Sequence, residues 1–141
     1  MALPIGMAFG ALSSGYISDR FFGSNRSRPI AIFMVLASVV SLLIYVVPTH
    51  HRLAGLVLLF LAGFFVYGPQ SSFWALCPDL LGRRRAATGI GLMNASAYGF
   101  AAVGEPLIGW IIQVTKQTSS VFAVLAVVCL LGAVCILPVK R

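Results

Sequence analysis

Long apolar runs alternate with short polar segments along the whole chain. A helix that crosses a bilayer needs about 20 apolar residues, and within lipid a helix satisfies its own backbone hydrogen bonds. Strands of a membrane barrel would be about half as long and would alternate in polarity, which these runs do not. The pattern therefore predicts about five membrane-spanning helices, over roughly 1–18, 30–48, 53–78, 86–113 and 118–138.

The composition agrees with this interpretation and excludes a water-soluble domain. Of the 141 residues, 60% are hydrophobic and 9% are charged, whereas soluble domains carry roughly 25% charged residues. A chain this short has no soluble core that could bury so much apolar surface. We therefore expect one all-α integral membrane domain over residues 1–141.

The basic residues lie at the ends of the apolar runs and indicate the orientation. Two basic residues, Arg52 and Lys116, fall on one side of the predicted bundle. The other eight fall in the loops 19–29 and 79–85 and at the C-terminus, namely Arg20, Arg26, Arg28, Arg83, Arg84, Arg85, Lys140 and Arg141. Cytoplasmic loops carry an excess of Lys and Arg. The distribution of the basic residues behind the net charge of +7 thus predicts a multi-pass inner-membrane protein with a cytoplasmic C-terminus, and not a nucleic-acid partner.

Small residues recur every four positions in the first and fourth runs. Gly6, Gly10 and Ser14 share one face, and the fourth run carries Gly89, Gly91, Ala95, Gly99 and Ala102. Small residues at this spacing allow close approach of helix backbones in lipid. The faces are typical either of plain helix packing or of a sliding contact between moving helices.

The third run contains a Gly68-Pro69 pair near its middle, where proline removes a backbone donor and favours a kink. Polar residues beside such a break are typical of transporter binding sites. We interpret Tyr67, Gln70, Ser71 and Trp74 as candidate substrate-binding residues. The alternative is that Gln70 and the serines only satisfy the interrupted backbone.

The fourth run adds three further candidates. Asn94 and Tyr98 are four residues apart and share a face, which makes them candidate substrate-binding residues. Glu105 is the one ionisable residue inside a predicted span, and an acid in a membrane is costly and commonly functional. It is a candidate for proton coupling, and a packing or gating role remains an equal alternative.

Enzymatic and metal chemistry find little support in the sequence. Cys77, Cys129 and Cys135 lie in or beside apolar runs at spacings typical of neither zinc nor redox motifs. His50 and His51 fall in a predicted outer loop, where we interpret them as ordinary polar residues. Nucleotide-binding and nucleophile-elbow motifs are absent from the sequence. We therefore expect no cofactor, no metal and no enzymatic activity.

The polar stretch GYISDRFFGSNRSRP at 15–29 resembles the cytoplasmic loop signature of the major facilitator superfamily. The matching residues are Gly15, Asp19 and Arg20, followed by Gly23, Arg26 and Arg28. SDRFFGSNR and FFVYGPQ at 64–70 are most similar to the organophosphate:phosphate antiporter family. The tract FWALCPDLLGRRRAATGIGLMNASAYGF is also similar to the anion:cation symporter family.

The resemblance implies that the chain is the C-terminal part of a twelve-helix transporter, helices eight to twelve, with its N-terminal helices missing. It implies alternating-access transport of a small organic anion, an organophosphate such as glycerol phosphate, phosphoglycerate or sugar phosphate, exchanged for inorganic phosphate. Asp19, Arg20 and Arg26 are then gating candidates, and the arginines can also contact lipid phosphates. The uncharged stretch Ile90 to Asn94 departs from the sugar-phosphate members, which carry charges there.

Three alternatives remain open at this point. The first is a proton- or sodium-coupled symporter of organic carboxylates. The second is a transporter-like membrane sensor of phosphorylated sugars. The third is an inactive truncated fragment.

Overall fold

The computed structural model describes residues 1–22, 26–47 and 52–139, and every regular element in these ranges is an α-helix. The helices are α1 (Ala2–Phe21), α2 (Ser27–Val46), α3 (Arg52–Tyr67), α4 (Pro69–Leu81), α5 (Ala86–Thr115) and α6 (Ser120–Ile136). The predicted all-α class is confirmed. Gly23, His50, His51, Lys140 and Arg141 lie outside the described residues.

Three helical segments of the described chain are long and apolar enough to cross a membrane. They are Ser27–Val46, the combined α3–α4 segment Arg52–Leu81, and Ala86–Thr115. Helix α6 is apolar but has 17 residues, and α1 has 20 residues that include several serines and a charged last turn. Helix α1 also extends further than its apolar run, because it continues through Asp19 and Arg20 to Phe21.

Helix α1 packs closely along α3 through residues that lack a side chain. A Cβ atom at Gly6 would collide with the carbonyl oxygen of Phe60, and one at Gly10 with that of Phe64. From the other helix, a Cβ at Gly63 would collide with the carbonyl of Leu3. The small-residue face of α1 is thus occupied by helix packing, which is the first of its two interpretations.

Helices α2 and α6 form an antiparallel pair that is joined at two levels. The Ser27 hydroxyl donates a hydrogen bond of 2.6 Å to the Val139 carbonyl. The Ser38 hydroxyl donates one of 2.7 Å to the Ala126 carbonyl. A core of Ile30, Ala31, Leu76 and Ile136 packs α2, α4 and α6 together. These contacts fix Val139, the last described residue, beside the start of α2.

The interruption between α3 and α4 is confined to Gly68. Its backbone keeps right-handed helical dihedrals, φ −49° and ψ −50°, and its N–H donates to the Phe64 carbonyl at 2.9 Å. Pro69 follows as the first residue of α4 and supplies no donor. A Cβ at Gly68 would collide with the ring of Phe33. Glycine is therefore required here for the close approach of α2.

Helix α5 is the most exposed helix of the described chain. None of its 30 residues is buried. Its described contacts with α4 include the N-terminal end, where a Cβ at Gly89 would meet Leu81 and Cys77. A Cβ at Gly91 or at Gly99, further along the same helix, would have no neighbouring atom within 4 Å. Beyond Gly89, which packs against α4, the small-residue face of α5 is free at Gly91 and Gly99 within the described part of the chain.

Candidate functional site

An ion-pair cluster joins three helices at the end of the bundle that carries most of the basic residues. Arg26, directly before α2, donates through Nε to Oδ2 of Asp79 in the last turn of α4, at 2.6 Å. Its Nη1 lies 3.6 Å from Oδ1 of Asp19, in the last turn of α1. One guanidinium thus bridges two carboxylates.

The two halves of this cluster differ in their exposure to solvent. The side chains of Arg26 and Asp79 are 17% and 23% exposed, whereas that of Asp19 is 62% exposed. An exposed ion pair contributes only ~0–1 kcal/mol, whereas a short charge-assisted hydrogen bond between partly buried groups contributes more. Asp79 is therefore the main partner of Arg26, and Asp19 is a secondary one.

The third gating candidate, Arg20, lies outside this cluster. It sits in the last turn of α1 and is exposed. Within the described residues the structure gives its guanidinium no carboxylate partner. The described ionic partner of the gating candidate Asp19 is the side chain of Arg26.

Among the substrate-binding candidates, Ser71 faces α1. Its hydroxyl forms a hydrogen bond of 2.9 Å with that of Ser14, which also lies 3.4 Å from the hydroxyl of Ser72. Ser14 and Ser72 are both buried. Because Ser71 is engaged between two helices, it contributes to the packing of α1 against α4.

Tyr67 and Gln70 lie on another side of the α3–α4 segment, away from these serines. Both line a cavity of about 480 Å³ between the α3–α4 segment, α2 and α6, together with Met34, Phe73 and other mainly apolar residues. Trp74 packs edge to face on Phe73, with ring centroids 5.9 Å apart. The Tyr67 hydroxyl and the Gln70 amide are the groups there that could orient a polar ligand.

The remaining candidates lie on α5 and are exposed. Asn94, Tyr98 and Glu105 have no hydrogen bond or ion pair within the described residues. The structure therefore does not gather Asn94 and Tyr98 with Tyr67 and Gln70 into one cavity. A charged carboxylate is costly against lipid, so the Glu105 face requires water or another protein segment beside it.

Comparison with known proteins identifies the family. The family model described as "Major Facilitator Superfamily" matches residues 1–141. The chain belongs to the major facilitator superfamily. No solved structure matches it.

Curated relatives within this superfamily include a transporter and a sensor. The chain is 30% identical over 105 residues to the glycerol-3-phosphate transporter of Bacillus subtilis (strain 168), covering 74% of this chain and 24% of that protein. It is 30% identical over 140 residues to the membrane sensor protein UhpC of Salmonella typhimurium, covering 95% of this chain and 30% of the relative. The chain therefore spans less than a third of the length of these relatives.

The facilitator resemblance drew attention to Asp19, Arg20 and Arg26, but not to Asp79. The chain has three acidic residues in all. Asp79 is the acid beside the run Arg83, Arg84 and Arg85, at the same end as Asp19. The position of Asp79 could have indicated an ion pair, because a lone acid near a basic loop commonly has a basic partner.

Proposed function

We propose that this chain is part of a secondary active transporter that carries an organic anion by alternating access, and that it has no enzymatic activity. In this proposal it supplies helices eight to twelve of a twelve-helix carrier. The preferred substrate is an organophosphate exchanged for inorganic phosphate. The named relatives support the substrate class, since one is a glycerol-3-phosphate transporter.

The observation that carries the proposal is the bridge from Arg26 to Asp79 and Asp19. It ties the ends of α1, α2 and α4 at what we take as the cytoplasmic side. A carrier that opens toward the cytoplasm has to shift helix ends there. The strength of this cluster then biases the equilibrium toward the state that is closed to the cytoplasm.

The candidate binding residues belong to this proposal as two groups. Tyr67, Gln70 and Trp74 lie on the α3–α4 segment, and Asn94 and Tyr98 lie on α5. A translocation pathway between these two segments would bring both groups to the same substrate. Helix α5 has free surface for such a pathway, since none of its residues is buried. Ser71 then acts by holding α4 against α1.

The test is counterflow in proteoliposomes, with a chimera in which residues 1–141 replace the matching segment of the Bacillus subtilis transporter. The vesicles are loaded with phosphate, and labelled glycerol phosphate, phosphoglycerate and hexose phosphate are offered outside. The unmodified transporter is the positive control, and a dicarboxylate is the specificity control. The chain alone is assayed in parallel, which tests whether its 141 residues suffice.

Uptake of a phosphorylated compound that depends on internal phosphate supports the proposal. Carboxylate uptake driven by a proton or sodium gradient contradicts it and favours the symporter alternative. A folded chimera without flux under either condition also contradicts it.

A membrane sensor of phosphorylated sugars is the second candidate. Its support is that the two relatives named membrane sensor protein UhpC, from Salmonella typhimurium and Escherichia coli (strain K12), each cover 95% of this chain. Binding of hexose phosphate to a folded chimera without any flux would favour this candidate over transport.

A further inference from the structure

An apolar groove runs between α2 and α6 on a different side from the cavity at Tyr67. Its volume is about 310 Å³. The lining is apolar and includes six exposed side chains, Ile32, Val35, Leu36, Leu130, Val134 and Leu137. The groove lies in the first half of α2 and the second half of α6, which is the half toward Arg26 and Val139.

Two interhelical hydrogen bonds set the ends of this groove. The Ser27–Val139 bond lies at the end of the groove near the start of α2, and the Ser38–Ala126 bond lies at its other end. Both bonds are short, at 2.6 and 2.7 Å. They join α2 and α6 at both ends of the groove.

The cytoplasmic end of the groove carries positive charge. Arg28 is exposed in the first turn of α2. It lies four residues before Ile32 and seven before Val35, so it shares their helix face. The described acids of this end, Asp19 and Asp79, pair with Arg26 and not with Arg28.

We propose that this groove binds one acyl chain of an anionic phospholipid from the cytoplasmic leaflet, with Arg28 contacting the headgroup phosphate. From Arg28 to Leu36 the helix rises about 12 Å, at 1.5 Å per residue. One leaflet of the hydrocarbon core is about 15 Å thick. The charged end and the apolar groove thus match the two parts of a single lipid molecule. This inference concerns an outer face of the bundle and does not depend on transport.

The dimensions favour a lipid over a docked helix or a second copy of the chain. A membrane-spanning partner helix would need a groove through both leaflets. This groove ends at the Ser38–Ala126 bond, within the length of α2. An acyl chain enters from one leaflet and ends there. The basic end also discriminates between lipids, because Lys and Arg near the cytoplasmic surface favour anionic headgroups.

The test is lipid titration of the full chain in a neutral detergent, read by native mass spectrometry. Phosphatidylglycerol and phosphatidylcholine with identical acyl chains are compared. We expect one phosphatidylglycerol to bind about fivefold more tightly than phosphatidylcholine, which is the factor that one basic residue contributes at an anionic surface. Arg28→Gln should remove this preference. Arg83→Gln, an equal loss of charge on an exposed arginine of the same end, should retain it.

A second pair of variants tests the acyl-chain part of the site. Val134→Trp fills the groove from an exposed position and should reduce binding of both lipids. Val127→Trp is the matched control: Val127 lies two turns earlier on the same face, is 58% exposed compared with 59% for Val134, and does not line the groove. Because both changes are at exposed sites, the fold should tolerate each, and the helical circular dichroism checks this.

Five results would overturn the proposal. These are equal affinity for the two lipids, an Arg28→Gln variant that keeps the preference, and equal effects of the two tryptophan substitutions. The fourth is a dimer peak that the Val134→Trp variant loses, since this would mean that a second copy occupies the groove. Competition by water-soluble glycerol phosphate would also contradict a lipid and indicate a site for free phosphate.

Discussion

Arg26 Nε donates a hydrogen bond of 2.6 Å to Oδ2 of Asp79, and the two residues are 53 positions apart in the chain. Both side chains are largely shielded from solvent, whereas Asp19, the second carboxylate near Arg26, is mostly exposed. Screening weakens exposed ion pairs far more than shielded ones. The Arg26–Asp79 pair is therefore the stronger interaction of the cluster, and the Arg26–Asp19 pair is the weaker one.

The two ion pairs should differ in double-mutant cycles that measure the free energy of unfolding of the chain in detergent. For Arg26→Gln with Asp79→Asn we expect a coupling energy of ~1–3 kcal/mol, as for groups in one hydrogen-bonded network. For Arg26→Gln with Asp19→Asn we expect ~0–1 kcal/mol, falling further in 1 M salt. Equal coupling in the two cycles would contradict the assignment of Asp79 as the main partner.

The same substitutions test the gating proposal in the chimera. Asp19→Asn and Asp79→Asn should both lower counterflow while leaving the amount of protein in the membrane unchanged, and Asp79→Asn should have the larger effect. Weakening the cluster shifts the carrier toward the state open to the cytoplasm, which slows the return step. Arg83→Gln is the charge control. Normal uptake by the Asp79→Asn variant would remove the gating role.

The contact between α1 and α3 predicts a difference between two glycines. Gly10→Ala places a Cβ against the Phe64 carbonyl and should destabilise the chain by ~1–3 kcal/mol through overpacking. Gly99→Ala, in the interior of α5 with open space around it, should be neutral or gain up to ~1 kcal/mol from helix propensity. The measurement is the thermal unfolding midpoint of each variant in detergent. Similar midpoints for the two variants would mean that α1 and α3 are not in close contact.

The sequence could predict the class of fold because hydropathy is a local property. The apolar run beginning near 30 corresponds to α2, and the run beginning near 86 corresponds to α5. The ends of the helices were less predictable. Helix α1 continues three residues past Ser18, because a helix does not need to stop where it leaves lipid.

The long-range partners could not be predicted, because they depend on how the helices are placed against one another. Periodicity puts Ser71 on a face of α4, but it does not reveal that Ser14, 57 residues earlier, occupies that face. The role of Asp79 could not be predicted for the same reason, since its partner Arg26 lies 53 residues earlier, before a different helix.

The candidate binding residues lead to a kinetic prediction for the chimera. Gln70→Ala and Asn94→Ala should each raise the KM for the transported phosphate compound, with a smaller change in the maximal rate. Each substitution removes a side-chain amide that could bind a phosphate oxygen, and a lost hydrogen bond to a charged group costs ~1.5–3 kcal/mol. Gln113→Ala, an equivalent change at the exposed far end of α5, is the matched control. Kinetics equal to those of the control would mean that Gln70 and Asn94 do not contact the substrate.

Glu105 allows coupling to be separated from exchange. Phosphate-loaded counterflow needs no proton gradient, so Glu105→Gln should leave it nearly unchanged if this carboxylate only couples protons. Uptake of the phosphate compound driven by an imposed proton gradient should then be lost. The reason is that glutamine keeps the size and hydrogen bonding of the side chain but cannot carry a proton. Both assays are run on the same vesicles, with Gln113→Ala as a control for a substitution at an exposed position of α5. If Glu105→Gln impairs both assays equally, the carboxylate acts in packing or gating, since a group that touches only the proton cannot slow an exchange that moves none.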